Sequence, residues 1–364
     1  MRQTAGMNPT TDAAHWNIAD LWDDYRPTPL IALPVLARRA GVAQVLVKCE
    51  GERPLGNFKA LGGMYAGLRA LARAVGVASL RELEARRDAA RGHRLLCASD
   101  GNHGLAVAAA ATRVGAAASV YLPADIDAGR ARRIARLGAE VVRVHGTYDD
   151  AVDAAQAAAL RGAGMLIADT GADPADPVVG DVMAGYGLLT REVRAQLHEH
   201  GDGRLTHVFV QAGVGGLAAA IAEGLHQCMS GPGHLWVVEP AAAACVARAL
   251  SEGRPVRIPG DLHTAAQMLS CGLASAPALA ILKRHGAGSV LVSETQLHAA
   301  PQALRDASGP SATPSGAAGV AGLLAAADDA ALRIAHGLDQ RSRVLLIVTE
   351  RIAPDRGLRP AAQY

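Results

Sequence analysis

From position 95 onward, short apolar runs alternate with alanine-rich helical stretches, and this alternation restricts the fold more than any other feature of the chain. The runs at 95–98, 118–122, 140–144 and 165–168 read as strands. Between them, 102–114, 129–137 and 149–160 read as helices, with Gly138 stopping the second. Strands this short, each followed by a helix, predict a parallel sheet covered on both faces. The rhythm returns after Pro177, with strands at 206–210, 235–238, 290–292 and 343–348. Its helices are expected at 182–197, 216–226, 262–271, 277–283, 294–307 and 316–335. A strand at 42–48 and a helix at 60–77 come earlier. A chain of 364 residues exceeds what one core usually serves. The expectation is therefore α/β, with two open, mostly parallel-sheet domains. The larger takes residues 1–60 and 181–364, because the N-terminal segment crosses back to it; the smaller takes 61–180.

Residues 1–24 read as an extended arm anchored by Trp16, Ile18, Leu21 and Trp22. Arg26-Pro27-Thr28-Pro29-Leu30 is excluded from a helix interior by its prolines and is expected across the body surface. Residues 253–259 read as a surface turn. Formal charge is +2, from 36 basic and 34 acidic residues, which gives no electrostatic footprint for nucleic acid. Arg130, Arg132, Arg133 and Arg136 read as the solvated face of one helix. The five cysteines are scattered without a C-x-x-C pair, as expected of buried thiols in a reducing compartment, and no metal-ligand spacing appears. The first residues lack an apolar signal core and no window reads as a membrane span, so a cytoplasmic location is expected.

Three polar, glycine-rich segments interrupt the apolar rhythm. The first, G-N-F-K-A-L-G-G at 56–63, sets Lys59 after Phe58 at a helix start, where the helix dipole gives a cation no ordinary reason to sit. A desolvated amine can lose its proton and form an imine. The second, S-D-G-N-H-G at 99–104, follows a strand and opens a helix, so free backbone N–H groups gather there. Its Asn102 offers an amide to a cofactor ring oxygen. Asp100 sits at a strand tip, either to meet a substrate ammonium and move protons or merely to cap the helix. His103 is either a packed ring or a working one. The third, Q-A-G-V-G-G-L at 211–217, has the same setting; Gly213, Val214, Gly215, Gly216 and Leu217 form a phosphate cradle. Alone it also reads as a dinucleotide loop, with Glu239 before Pro240 as a ribose acid. Lys59 tips the reading to pyridoxal 5'-phosphate (PLP) held as a Schiff base. Asp169 ends a strand as a second acid, or as the turn-forming aspartate common at such places. Thr349 follows the last strand, where a hydroxyl would meet the pyridine nitrogen. Such a neutral partner suits α,β-elimination or replacement better than transamination, provided Thr349 and not Glu350 turns inward.

These segments resemble the tryptophan-synthase β-like (fold type II) PLP enzymes, and within them the diaminopropionate ammonia-lyases. The likeness runs from about Tyr25 to Thr349. Y-R-P-T-P-L at 25–30 is similar to the family's opening, N-F-K-A-L-G-G to its Schiff-base segment, S-D-G-N-H-G to its T-D-G-N-H-G, and M-A-G-Y-G at 183–187 to its Q-G-Y-G. The stretch 260–272 resembles the one around its G-L-A-C-G. The resemblance implies Lys59 as the PLP lysine, with Asp100 and Asp169 as catalytic acids serving opposite substrate enantiomers. It also implies substrate contacts from His103, Thr170 and Tyr186. The activity implied is elimination of 2,3-diaminopropionate (D, L or both) to pyruvate and two ammonia. A serine or threonine dehydratase, a β-replacement synthase and a catalytically silent PLP-fold binding protein are the alternatives. A small amino-acid substrate and a homodimer follow by fold analogy, without nucleic-acid or membrane partners. Departures fall at Thr313-Pro314-Ser315-Gly316-Ala317, against the family's E-S-G-A, and at Thr349-Glu350-Arg351-Ile352-Ala353, against T-E-G-D-T. Leu55-Gly56-Asn57 stands where the family has L-N-A.

Overall fold

The computed structural model describes residues 16–352 apart from Asp100 and Asp202. Among the described residues the strands form two sheets. The larger contains β1 (Leu30–Ala32), β2 (Gln44–Cys49), β7 (Leu205–Gln211), β8 (Met229–Pro240), β9 (Gly288–Val292) and β10 (Arg343–Val348), in the order β1-β2-β10-β7-β8-β9. The smaller contains β3 (Arg94–Ala98), β4 (Ala117–Pro123), β5 (Glu140–Val144) and β6 (Met165–Leu166), in the order β5-β4-β3-β6. Every ladder is parallel except β1 on β2, where Leu30 faces Lys48 in an antiparallel edge pair.

The strand pleat divides the core. On β2 and β10, Leu46, Leu345 and Ile347 point into one cluster, while Val45, Val47, Val344, Leu346 and Val348 point into another. The first cluster continues into the small sheet through Leu95 and Val120, so the two sheets share a core. Both faces of the large sheet are therefore covered, which is why its strands are apolar at successive positions.

One crossing fixes the relative placement of the elements around Lys59. The Lys59–Val75 helix packs against the Pro177–Leu197 helix and the Asn102–Val114 helix. A Cβ on Gly62 would lie 2.6 Å from Cε1 of Tyr186 and 2.7 Å from the Val182 carbonyl, and one on Gly185 would lie 2.7 Å from the Leu61 carbonyl. The two helix backbones touch, and only glycine permits it.

Several expectations are corrected. The 262–271 segment is not a helix; it holds a single 3₁₀ turn, Gln267–Leu269. Leu262 has φ of 56°, and Asp261 accepts the His263 N–H in a side-chain turn, which stops helical winding at the start. The 316–335 helix is two, Ala318–Asp328 and Ala330–Ala335. Asp329 is extended and caps the second by accepting the Ala331 and Leu332 N–H groups. The strand expected at 165–168 pairs only at Met165 and Leu166. The arm through Ile18–Leu21 is a 3₁₀ turn rather than extended, with Ile18, Leu21 and Trp22 buried as anchors. Arg130 and Arg133 do not face solvent fully: Arg130 lies against Gly101, and Arg133 donates to the Leu55 carbonyl at 3.3 Å.

The stretch 26–30 lies on the surface only in part: Arg26 and Pro27 are exposed, but Thr28 and Leu30 are buried. Thr28 is buried in an ion network. Glu192 takes Lys48 Nζ at 2.6 Å, Arg53 Nη1 at 2.7 Å and the Tyr25 hydroxyl at 2.7 Å. Glu50 takes Arg53 Nη2 and the Thr28 hydroxyl, each at 2.6 Å. Lys48 also donates to the Thr28 carbonyl and to Gln196 Oε1. These charges are buried, and every one is matched.

Candidate active site

Lys59 is presented by a turn that ordinary backbone preferences would not choose. Leu55 has φ of 69°, a sparsely populated value for a bulky residue. Asn57 Nδ2 and Arg133 Nη2 both donate to the Leu55 carbonyl and hold the turn. Asn57 Oδ1 then accepts the Lys59 N–H at 3.0 Å, and Phe58 N–H donates to the Thr349 carbonyl at 3.0 Å. The start of the Lys59 helix is thereby tied to the end of β10.

Lys59 Nζ lies 2.5 Å from Asp169 Oδ2. The other carboxylate oxygen accepts the Tyr148 hydroxyl at 2.7 Å. Tyr148 is the first residue of its helix, Tyr148–Leu160, and Thr147 and Asp150 fix that start in a reciprocal capping box. Asp169 follows the short β6, where Ile167 N–H still donates to the Leu96 carbonyl before the chain turns inward. Burial would lift the Asp169 carboxyl, but the Lys59 ammonium outweighs it and holds the group below its ordinary range. Burial would likewise depress Lys59, but the Asp169 carboxylate holds it above the usual lysine value. The two are a resting ion pair, with the proton on Lys59 and the carboxylate ionised.

Both open into a cavity also lined by Phe58, Ser99, Asn102, His103, Tyr186 and Gln211, and by Gly213, Val214, Gly215, Gly216 and Leu217. Met268, Leu269, Cys271, Ser315, Thr349 and Glu350 close it. The Tyr186 ring lies 5.0 Å from that of Phe58, and its phenol is pushed up to about 12 by burial. His103 Nε2 is 2.8 Å from the Ile167 carbonyl, which makes it the protonated nitrogen and leaves Nδ1 as a buried acceptor. Burial lowers its pKa, so the ring is neutral. Gly215, at φ of 101°, turns the chain from β7 into the Gly216–Leu225 helix and aims that helix's free N–H groups at the cavity. Gln211 Nε2 donates to the Ser315 and Gly316 carbonyls and to Thr349 Oγ1, at 2.9 to 3.0 Å.

The structure thus brings together all the expected site residues except two. Thr170 does not line the cavity. Asp100 lies outside the described residues. Thr349 and Glu350 both reach the cavity wall, and the Glu350 carboxylate is engaged by Asn102 and Thr313. Glu239 is fully buried, and it accepts the Val246 and Ala247 N–H groups at 2.8 and 2.7 Å. It serves the start of the Cys245–Glu252 helix, so it is no ribose ligand. Sequence reasoning missed Tyr148, whose signal was the T-x-x-D box around it, and the contribution of Met268, Leu269 and Cys271, which a helix at 262–271 would have hidden.

The family pattern for "Pyridoxal-phosphate dependent enzyme" matches residues 21–350. The chain belongs to that family. It is 36% identical over 256 residues to the diaminopropionate ammonia-lyase of Escherichia coli K12, a match over 68% of this chain and 63% of the relative. The chain therefore spans less than two thirds of that relative's length. It is 33% identical over 337 residues to a Burkholderia pseudomallei protein named "Probable D-serine dehydratase", covering 84% of this chain and 74% of the other. Its fold is similar to the crystal structure of Escherichia coli diaminopropionate ammonia lyase in complex with an aminoacrylate-PLP azomethine reaction intermediate. The TM-score is 0.80 at 30% identity, over 92% of this chain and 86% of that one. The architecture is thus the tryptophan-synthase β-like, fold type II arrangement, and the cofactor is PLP. The cavity suits it. An amine stands on one wall and a glycine cradle with free N–H groups on another; Gln211 Oε1 and His103 Nδ1 are buried acceptors with no protein donor. A Cβ at Gly213 would come within 3.0 Å of Cys271 Sγ and crowd the cradle. No helix among the described residues is long and apolar enough to cross a membrane.

Proposed function

We propose that the chain catalyses α,β-elimination of ammonia from 2,3-diaminopropionate, consuming one water and yielding pyruvate and two ammonia. The observation that carries this is the Lys59–Asp169 pair, 2.5 Å apart in a cavity that also holds the glycine cradle. Lys59 Nζ would hold the cofactor covalently. Gly213, Gly215, Gly216 and Leu217, with the helix behind them, would hold its phosphate, Val214 and Phe58 its flanks, and Asn102 its ring oxygen. Thr349, whose hydroxyl accepts from Gln211, would be a neutral partner for the ring nitrogen. Bound there, PLP supplies an electron sink for charge at the substrate Cα.

The protein's own groups do the rest. Asp169 takes the Cα proton from one face, with Tyr148 holding its far oxygen so that the near one stays aimed. Lys59, once released, is a second base on that face and Asp100 serves the other, which lets D and L substrates share one site. The β-amine leaves with a proton from the same acids, and water converts the released enamine to pyruvate. A substrate with two ammonium groups suits a cavity whose described lining carries two carboxylates, Asp169 and Glu350, against one lysine. His103 and Tyr186 are proposed as substrate contacts; Thr170, which does not line the cavity, is not.

A serine dehydratase is the second reading, supported by the likeness to the Burkholderia protein. Incubation with both enantiomers of 2,3-diaminopropionate and of serine, with pyruvate and ammonia measured together, separates them. Two ammonia per pyruvate from the diamino acid supports the first, whereas turnover of serine alone, with one ammonia per pyruvate, overturns it. We also take residues 1–60 with 181–364 as the larger domain and 61–180 as the smaller, and the assembly as a cytoplasmic homodimer. The fold likeness and the free cysteines support that reading; limited proteolysis, sedimentation and cell fractionation test it.

A further inference from the structure

We propose that Glu350 is a positioning residue that dictates which end of the Asn102 amide faces the cofactor. The proposal rests on the reading that PLP is held at Lys59. Asn102 opens its helix on the small-sheet side of the cavity, and Glu350 is the second residue past the end of β10 of the large sheet. Asn102 Nδ2 donates to Glu350 Oε2 across the gap. The other oxygen, Oε1, accepts from the Thr313 hydroxyl, and Thr313 Oγ1 itself accepts the Gly316 N–H at 3.0 Å. An antiparallel bridge to Asn57 fixes the backbone at Glu350, and the residue is 8% exposed. The carboxylate therefore has a fixed position and no freedom to rotate.

A primary amide has two chemically different ends, and a carboxylate can only accept. The Asn102 amide must turn its nitrogen toward Glu350. Its second N–H, on that same nitrogen, remains to donate into the cavity that both residues line. The ring oxygen of the cofactor is an acceptor, and a flipped amide would oppose it with a carbonyl. Asn102 thus draws its orientation from a residue on the opposite side of the seam. Binding of the cofactor ring and approach of the two sides are linked through one hydrogen bond.

The test compares N102A, E350A, E350Q and the N102A/E350A double variant, reconstituted with PLP. Two quantities are read: the PLP dissociation constant by equilibrium dialysis, and the ratio of the cofactor's visible and near-ultraviolet absorbance bands, which reports where the proton beside the ring oxygen sits. N102A and E350A are each expected to weaken PLP binding about tenfold, the worth of one well-placed hydrogen bond, and to move the band ratio in the same direction. The double variant is expected to bind no more weakly than N102A alone, because the two changes remove one interaction. E350Q falls between wild type and E350A, since one carbonyl oxygen must serve both Asn102 and Thr313, and it keeps the test open should E350A fail to fold. Losses that add in full, or an E350A protein with wild-type affinity and band ratio, overturn the proposal. A wild-type chain that forms no hydride-reducible adduct at Lys59 overturns the cofactor reading itself and this proposal with it. A wild type that binds PLP, with Glu350 independent of Asn102, overturns this proposal alone.

Discussion

Lys48 and Lys59 each meet a buried carboxylate, Glu192 at 2.6 Å and Asp169 at 2.5 Å, yet the surroundings of the two pairs are unlike. The Lys48 ammonium has an acceptor for each of its protons: Glu192, the Thr28 carbonyl and Gln196. Glu192 in turn is shared by Lys48, Arg53, Tyr25 and Thr28. Nothing is left over, and the side chains of both lysine and acid are sealed from solvent. The Lys59 side chain is 20% exposed and opens on the cavity that the glycine cradle lines. A short, buried ion pair is thus no mark of function by itself. An open volume beside the ions distinguishes the working pair from the structural one.

The contrast breaks first, if it breaks, at Lys59. K59A is expected to lose all pyruvate release and all hydride-reducible adduct while melting within a few degrees of wild type; a collapse of the fold would make this pair structural too. D169N comes next. It is expected to lower kcat for one enantiomer by about 10²- to 10⁴-fold, the usual worth of a placed acid–base group, and to affect the other enantiomer far less. Equal losses on both would remove Asp169 from any stereochemical role. E192A is expected to do the opposite of K59A: stability falls by about 3–5 kcal/mol, because the buried Lys48 loses its carboxylate while Arg53 keeps only Glu50. Denaturant unfolding reads that loss, and the soluble fraction should retain its kcat.

Y148F sharpens the comparison at smaller scale. It removes one hydrogen bond to Asp169, so a loss of about 1 kcal/mol in transition-state stabilisation, or roughly fivefold in kcat, is expected with little change in melting temperature. The smallest effect is on acid stability. Burial pushes Glu192 up, but the Arg53 hydrogen bonds and the charges of Arg53 and Lys48 hold it below its ordinary 4.5. A carboxyl depressed by folding contributes its stability in full above the unfolded value, and loses it as pH falls through the folded one. The melting temperature should therefore be flat above about pH 5 and drop below 4.5, and E192Q should lack that component of the drop.

Much of this was legible from the chain. Lys59 stood out because a cation at a helix start conflicts with local electrostatics, and Gly213 to Leu217 because glycines follow a strand. Parallel sheets announce themselves when apolar runs recur between helices, as at 95–98 and 118–122. What stayed hidden was set by distant partners. Thr28 reads as a surface residue between prolines until Glu192 and Glu50 are seen around it. Leu262 belongs to an apolar, helix-like run, but its left-handed backbone and the turn at Asp261 send that run along the cavity wall instead. Tyr148 carries no local sign of function; it needs the fold to bring it to Asp169.

The strand order has a consequence for how the molecule comes into being. β10, the last strand among the described residues, lies in the middle of the large sheet between β2 and β7, and its end receives the Phe58 N–H beside the cofactor lysine. Residue 59 leaves the ribosome long before residues 343–350 do. Until then β2 and β7 have no strand between them, and the seat for the vitamin is missing one wall. The nascent polypeptide carries a reactive amine through the synthesis of every element in between with nothing to dock it against, and its chemistry waits on β10.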